Sequence, residues 1–237
     1  QYRLLLLDAF AETGLEVDLR QDFPPEAVDY IVYAPNSAVQ DFRPYTRAKA
    51  VLNLWAGVEN VVHNETLTIP LCRMVEAGLT EGMVEWVTGH VLRHHLGIDS
   101  FLARQTGEWR PEYPPLARDR RVAMLGLGEL GSACATALAS LNFRVSGWSR
   151  TLRTIEGVAT FSGEDGLRTV LSGAEIVVLL LPLTPETENL LDASRLARLP
   201  AGAVIVNPGR GPLIDHDALL AALDAGHIAH ATLDVFR

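Results

Sequence analysis

Cysteine is almost absent: Cys72 and Cys134 are the two in 237 residues, too few and wrongly spaced for a disulfide framework or a zinc site. Long hydrophobic runs are missing as well. The longest, around residues 176–181, falls far below the ~20 apolar residues of a membrane-spanning helix. No basic stretch with an apolar core opens the chain as a secretory leader would. Positive charge is in deficit, with 20 Lys and Arg against 29 Asp and Glu and a formal net charge of −9. A surface of that sign gains nothing from counterion release, which excludes a general nucleic-acid partner. An anionic ligand must find local positive charge inside its site. Repeats and low-complexity tracts are lacking too. These absences read as a cytoplasmic protein without a membrane partner. What remains is ordinary globular composition, 48% hydrophobic and 21% charged, over a length that fits one large or two modest domains.

The most informative segment runs from Arg121 to Gly131. A short apolar strand leads into Gly126-Leu127-Gly128-Glu129-Leu130-Gly131, spaced G-x-G-x-x-G, and a small-residue helix follows. Each glycine has a mechanical task in such a segment: a tight turn at Gly126, close approach of a pyrophosphate at Gly128, and closure of the helix onto the strand at Gly131. The first-turn amides, around Glu129 and Leu130, then meet the phosphates. A second strand at residues 143–148 stands at the distance a dinucleotide-binding unit requires.

Downstream, strand and helix patterns alternate: helix 164–171, strand 175–181, helix 192–199, strand 203–207, helix 215–225 and strand 228–235. Asp215 fits the N-cap of its helix and Gly226 its left-handed stop. Such alternation predicts an α/β fold with a parallel sheet wrapped on both faces. Ligands of open α/β sheets bind beyond the carboxyl ends of the strands, which puts Gly126, Trp148, Pro182, Asn207 and Asp234 along one crevice.

The first part alternates less regularly, with strand-like runs at 16–19, 29–33, 50–54 and 69–73; residues 1–13 read better as a helix than as a strand. A long amphipathic helix, 79–96, has Leu79, Met83, Val87 and Val91 on one face and Thr80 as its cap. It is read as a bridge, with the division placed at 1–90 for a smaller domain and 91–237 for the cofactor domain. His90, His94 and His95 lie on or near this helix without an acidic partner, and are read as helix-surface residues; no metal site is expected. Cys134 reads as a packing residue.

Asn207-Pro208-Gly209-Arg210-Gly211 follows a buried strand, which places an arginine at the carboxyl edge of the sheet. A guanidinium there grips a carboxylate through two parallel N–H···O bonds, with a specificity a lysine lacks. With the glycine motif, Leu181-Pro182-Leu183-Thr184-Pro185-Glu186-Thr187 and Leu233-Asp234-Val235-Phe236, the order and spacing resemble the D-2-hydroxyacid dehydrogenase family. Upstream, Leu54-Trp55-Ala56-Gly57-Val58-Glu59-Asn60 resembles that family's substrate-carboxylate loop. Arg73-Met74-Val75 and Met83-Val84-Glu85-Trp86 are most similar to its glyoxylate/hydroxypyruvate reductase A branch.

The resemblance implies two doubly wound parallel-sheet domains, a flavodoxin-like substrate domain and a Rossmann cofactor domain, joined in a homodimer with residues 86–109 as an arm. It implies hydride transfer to a small 2-oxo acid such as glyoxylate or hydroxypyruvate. Arg210 would hold the carboxylate and carbonyl, the amides of Ala56 and Gly57 would hold the carboxylate from the other domain, and Trp55 would wall the pocket. Asp234 would face the nicotinamide amide, with Leu181, Pro182, Leu183 and Thr187 along the cofactor and Asn207, Pro208 and Gly209 beside it. Where the NAD pattern has an acid after the second strand, this chain has Trp148-Ser149-Arg150. The absence of a carboxylate there, with Arg153 nearby, points to a 2′-phosphate and so to NADP(H) over NAD(H). By the same resemblance, the family's acid and histidine would follow Arg237 and a first strand would precede Gln1, so the chain is expected to be incomplete at both ends. Two other readings share the pattern: a dinucleotide-sensing interaction protein of the same fold, and a dehydrogenase of another 2-hydroxy acid.

Overall fold

The computed structural model describes residues 2–237 and divides into two compact units, Gln1–Val75 and Glu76–Arg237. In the first, helix α1 (Arg3–Thr13) buries none of its residues, in line with the helical reading of the opening segment. Strands β1 (Tyr30–Tyr33) and β2 (Ala50–Asn53), the short helix α2 (Glu59–Val62) and strand β3 (Leu71–Cys72) follow. The three strands form a parallel sheet in the order β1-β2-β3. Ile31, Tyr33, Phe42, Val51 and Val61 make its core. The run 16–19 is not a strand. It finds no ladder partner among the described residues, and Asp18 instead pairs with Arg20 at 2.6 Å in solvent.

The second unit opens with helix α3 (Ala77–His95), then α4 (Ile98–Ala103), β4 (Arg121–Leu125), α5 (Glu129–Ser140), β5 (Arg144–Trp148), β6 (Ala159–Phe161), α6 (Gly163–Gly173), β7 (Ile176–Leu179), α7 (Ala193–Leu196), β8 (Ala203–Asn207), α8 (His216–Asp224) and β9 (Ile228–Leu233). Six strands pair in parallel in the order β6-β5-β4-β7-β8-β9. This is the doubly wound order of a dinucleotide-binding sheet, with its direction reversing between β4 and β7. Alternation along the strands sends side chains to two cores. Ala123, Leu125, Val177, Leu179 and Ile205 join one. Val122, Met124, Ile176, Val178, Val204 and Val206 join the other, with α3 and α5. Both faces are covered, which is why β7 and β8 read as unbroken apolar runs.

Several expectations change. The division falls at 75/76 rather than 90/91, because Met83, Val87 and Val91 of α3 pack into a core of the second unit. Thr80 does not cap α3: the helix begins earlier, and the Glu76 carboxylate accepts from Gly78 N at 2.7 Å and Leu79 N at 2.8 Å. Helix α7 stops at Leu196, ahead of Pro200, whose ring restricts the residue before it. His95 is buried rather than superficial. It continues the Val87, Val91 stripe by one further turn, meets Phe143 edge-on at 4.9 Å, and its Nδ1 accepts from Arg120 Nε at 3.4 Å. His94 is half-buried, with Nε2 2.8 Å from Thr232 Oγ1 and its ring stacked on His230 at 5.6 Å. Burial and the neighbouring His230 push its pKa down to about 4. Cys134 is fully buried and its thiol pushed up to about 12 by desolvation, a packing residue as expected. The caps at Asp215, which accepts from Ala218 N at 3.1 Å, and at Gly226, with φ of 68°, stand where the sequence put them.

Candidate functional site

The loop between β4 and α5 lies at the reversal point of the sheet. Gly126 has φ of 106°, a conformation side chains rarely adopt, and a Cβ there would overlap the Leu180 carbonyl. A Cβ on Gly131 would overlap the Gly126 carbonyl oxygen. These two glycines are therefore set by packing. Gly128 differs: its φ of −72° suits any residue, and nothing lies within 4 Å of a Cβ built on it. Gly128 therefore leaves the backbone at the start of α5 open, as close approach of a pyrophosphate requires. Behind it α5 starts without a side-chain cap, so its first-turn amides, around Glu129 and Leu130, supply the donors and dipole that suit a pyrophosphate. These residues fit a dinucleotide.

Strand β5 braces this loop: Trp148 O accepts from Gly126 N at 2.8 Å, while Trp148 Nε1 donates to Gly163 O at 2.8 Å and fastens the start of α6. Trp148 thus acts through the scaffold. Ser149 is buried and gives its hydroxyl proton to Thr151 O at 2.8 Å. That leaves the exposed Arg150 as the cationic donor at the end of the strand. Arg153 lines an open cleft of about 630 Å³ together with Gly128, Glu129, Ser132 and Thr136, on the same side as the glycine loop.

After β7 the segment 181–187 folds back on itself. Thr187 Oγ1 donates to Pro182 O at 2.7 Å and accepts from Thr184 N at 2.8 Å. Its hydroxyl is engaged inside the loop, so Thr187 sets the course of Leu181, Pro182 and Leu183. Nearby Arg150 contributes to holding Glu186 below the usual carboxylate range, behind the hydrogen bonds Glu186 makes with Thr184 and its own backbone.

At the end of β8 the fully buried Asn207 organises the arginine-bearing turn. Its Nδ2 donates to Arg210 O at 2.9 Å and its Oδ1 accepts from Gly209 N at 3.1 Å. Pro208 and Gly209 are buried, and a Cβ on Gly209 would come within 2.8 Å of Leu179 O. Arg210 reaches the surface of this turn, with its guanidinium donating to Gly209 O at 2.8 Å. Asp234 N donates to Asn207 O at 3.1 Å, which carries the ladder past β9 and brings Asp234 to the same edge.

In the first unit, Trp55, Ala56 and Gly57 leave the end of β2. Trp55 is exposed, 42% accessible, and is not a core aromatic. The sequence reading missed what holds this loop, the buried Asn53, whose Nδ2 donates to Trp55 O at 2.6 Å and Gly57 O at 3.0 Å. A polar residue on the buried side of an otherwise apolar strand was the available signal. Among the described residues there is no cluster of His, Cys, Asp and Glu suited to a metal ion, and no helix is long and apolar enough to cross a membrane.

Known proteins are similar to this chain in sequence and in fold. The chain is 37% identical over 198 residues, 80% of its length and 63% of the relative's, to glyoxylate/hydroxypyruvate reductase A of Serratia proteamaculans. It thus spans less than two thirds of the length of that curated relative. Among solved structures it resembles a D-isomer specific 2-hydroxyacid dehydrogenase of Xanthobacter autotrophicus in complex with NADPH and MES, with 43% identity, a TM-score of 0.88, and coverage of 96% of this chain and 74% of that one. It also resembles the NADPH-dependent glyoxylate/hydroxypyruvate reductase of Sinorhizobium meliloti in complex with NADP and sulfate, at 36% identity and a TM-score of 0.81, covering 89% of this chain and 68% of that one. The family profile for the D-isomer specific 2-hydroxyacid dehydrogenase NAD binding domain matches residues 88–237, more than half of the chain. The chain belongs to the D-isomer specific 2-hydroxyacid dehydrogenase family.

Proposed function

We propose that this protein reduces small 2-oxo acids of the glyoxylate or hydroxypyruvate type to 2-hydroxy acids, with NADPH as the electron donor. The observation that carries the reading is Arg210, held by Asn207 at the carboxyl edge of a sheet whose reversal point has a glycine loop open to a dinucleotide. Gly128, Glu129 and Leu130 would hold the pyrophosphate, Arg150 and Arg153 the 2′-phosphate, and the 181–183 segment and Asp234 the nicotinamide side. Bound there, the dinucleotide supplies a hydride. Arg210 grips the carboxylate of the oxo acid in two parallel N–H···O bonds and polarises its carbonyl oxygen, where negative charge develops. By family resemblance, the Ala56 and Gly57 loop of the first unit supplies backbone donors for a carboxylate. With a net charge of −9, the protein depends on this local cation to admit an anionic substrate.

The preference for NADPH is supported by the 2′-phosphate-bearing cofactors in both solved relatives and by the absence of an acid after β5. A cytoplasmic homodimer completes the reading. Its arm is supported by exposed apolar residues at Phe101, Leu102 and Trp109, the last 90% accessible, since such patches mark protein contacts. Steady-state oxidation of NADPH by the intact gene product, over a panel of 2-oxo acids, tests the function. Turnover with glyoxylate or hydroxypyruvate is expected. Cofactor binding without turnover of any 2-oxo acid would make it a dinucleotide sensor instead.

A further inference from the structure

We infer that Asn53 is a positioning residue for the carboxylate-binding loop of the first unit, orienting outward the Ala56 amide already assigned to the carboxylate and, beside that loop's Gly57, the Val58 amide as a further donor. The inference rests on the proposed reading of the Trp55-Ala56-Gly57 loop and names the device that makes the loop a donor. Asn53 is the last residue of β2 and 4% exposed. Both carboxamide protons are used on carbonyls of the following turn, Trp55 O at 2.6 Å and Gly57 O at 3.0 Å. The opposite orientation of the amide would set Oδ1 against two carbonyl oxygens with no proton between them, so the donor assignment follows from the network. Trp55 O also accepts from Met74 N at 3.4 Å, which ties the turn to the segment after β3.

A trans peptide is planar, with its N–H opposed to its C=O. Drawing the Trp55 carbonyl inward onto Asn53 therefore turns the Ala56 N–H away from it, and drawing the Gly57 carbonyl inward does the same to the Val58 N–H. Among the described residues, neither N–H meets a protein acceptor. Half-buried amides without partners are ready donors to an acceptor that arrives from outside. Asparagine alone suits the position among residues of its size. Leucine has no donor, serine one proton, and ionised aspartate presents oxygen to oxygen.

The test uses Asn53→Asp and Asn53→Ser in the intact protein, with glyoxylate as the probe. Asn53→Asp should raise KM for glyoxylate about 10-fold or more, the scale of a charge-assisted hydrogen bond, and leave KM for NADPH within about twofold. The rise should shrink, relative to the unmodified protein, as pH falls and the buried aspartate gains a proton to donate. Asn53→Ser, with one donor, should lie between, and it carries the test if the aspartate variant does not fold. Exchange of the Met74 amide, which donates to Trp55 O in this turn, should quicken in both variants whatever the activity. Unchanged exchange with unchanged KM for glyoxylate overturns the inference. So does a parallel rise in both KM values with a lowered Tm, which makes Asn53 a packing residue. Failure of the functional reading shows separately: the unmodified protein would then oxidise no NADPH with any 2-oxo acid, and the inference would fall with it.

Discussion

Asn207 holds the turn that carries Arg210 from both sides of its carboxamide, donating to the Arg210 carbonyl at 2.9 Å and accepting the Gly209 amide at 3.1 Å. The arginine is thus placed by a buried side chain on the last residue of a central strand, not by a solvent-exposed turn. Arg210→Lys keeps the charge and loses the planar fork. It should lower kcat/KM for 2-oxo acids by roughly 10- to 100-fold, the equivalent of about 1.5–3 kcal/mol, and leave NADPH affinity within about twofold. Steady-state kinetics beside a fluorescence titration separates the two. Unchanged turnover would return Arg210 to the role of a surface residue.

The glycines of the cofactor loop should separate by mechanism. Gly131→Ala forces a methyl onto the Gly126 carbonyl, so it should destabilise the fold by about 1–3 kcal/mol and lose cofactor binding with it. Gly128→Ala meets open space and an ordinary backbone conformation, so stability should change by about 1 kcal/mol or less while NADPH affinity falls about tenfold or more. Thermal denaturation with and without NADPH distinguishes the cases. Equal stability losses in the two variants would count against Gly128 as the point of phosphate approach.

Arg150 stands exposed where the NAD pattern has an acid, and the Ser149 hydroxyl is already engaged with Thr151 O. Arg150→Asp should therefore cut NADPH affinity by roughly tenfold or more through loss of a charge-assisted contact, and shift preference toward NADH. Arg150→Ala should cut it without improving NADH. Equal binding of both cofactors by the unmodified protein removes the premise.

His94 sets a pH dependence whose sign follows from its surroundings. Burial first, then His230, lower its pKa to about 4, against the opposing pull of Asp99, while Arg93 and His90 add to the lowering. The unfolded chain takes up a proton near the ordinary 6.5 and the folded chain refuses it until about 4. Stability from this group is therefore whole above 6.5, falls as pH drops from there to about 4, and levels off below. For a half-buried ring the contribution is discounted for solvent screening to roughly 1–2 kcal/mol. His94→Gln should flatten that part of the denaturant-derived stability curve between pH 6.5 and 4; an unaltered slope contradicts the assignment. His95, lowered by burial and then by Arg120, adds a slope of the same sign that His94→Gln leaves in place.

Much of this was legible in the sequence because the second unit obeys local rules. The unbroken apolar run of β4, glycine spacing, the Asp215 cap and the Gly226 stop each leave a signature within a few residues. Strand β6 escaped, since three residues at a sheet edge bury too little to show a pattern. His95 escaped because a histidine ending an apolar stripe reads as the polar end of the helix, although its spacing of four from Val91 places it inside. The hydrogen bonds that Ser149 and Thr187 make inside their own loops were beyond reach for a different reason. Each depends on which backbone carbonyl a side chain meets after the loop has closed, and residue type alone does not tell a ligand contact from a scaffold contact.

The most direct measurement follows isotope rather than absorbance. NADPH deuterated at the transferring carbon of its nicotinamide is incubated with the intact protein and glyoxylate or hydroxypyruvate, and the product is analysed by mass spectrometry. A D-2-hydroxyacid reductase built as described transfers one deuteron with its electron pair to the carbonyl carbon for each NADPH oxidised, and Arg210→Lys slows label and cofactor oxidation together. Cofactor that binds tightly yet leaves no label in a 2-hydroxy acid would contradict the account.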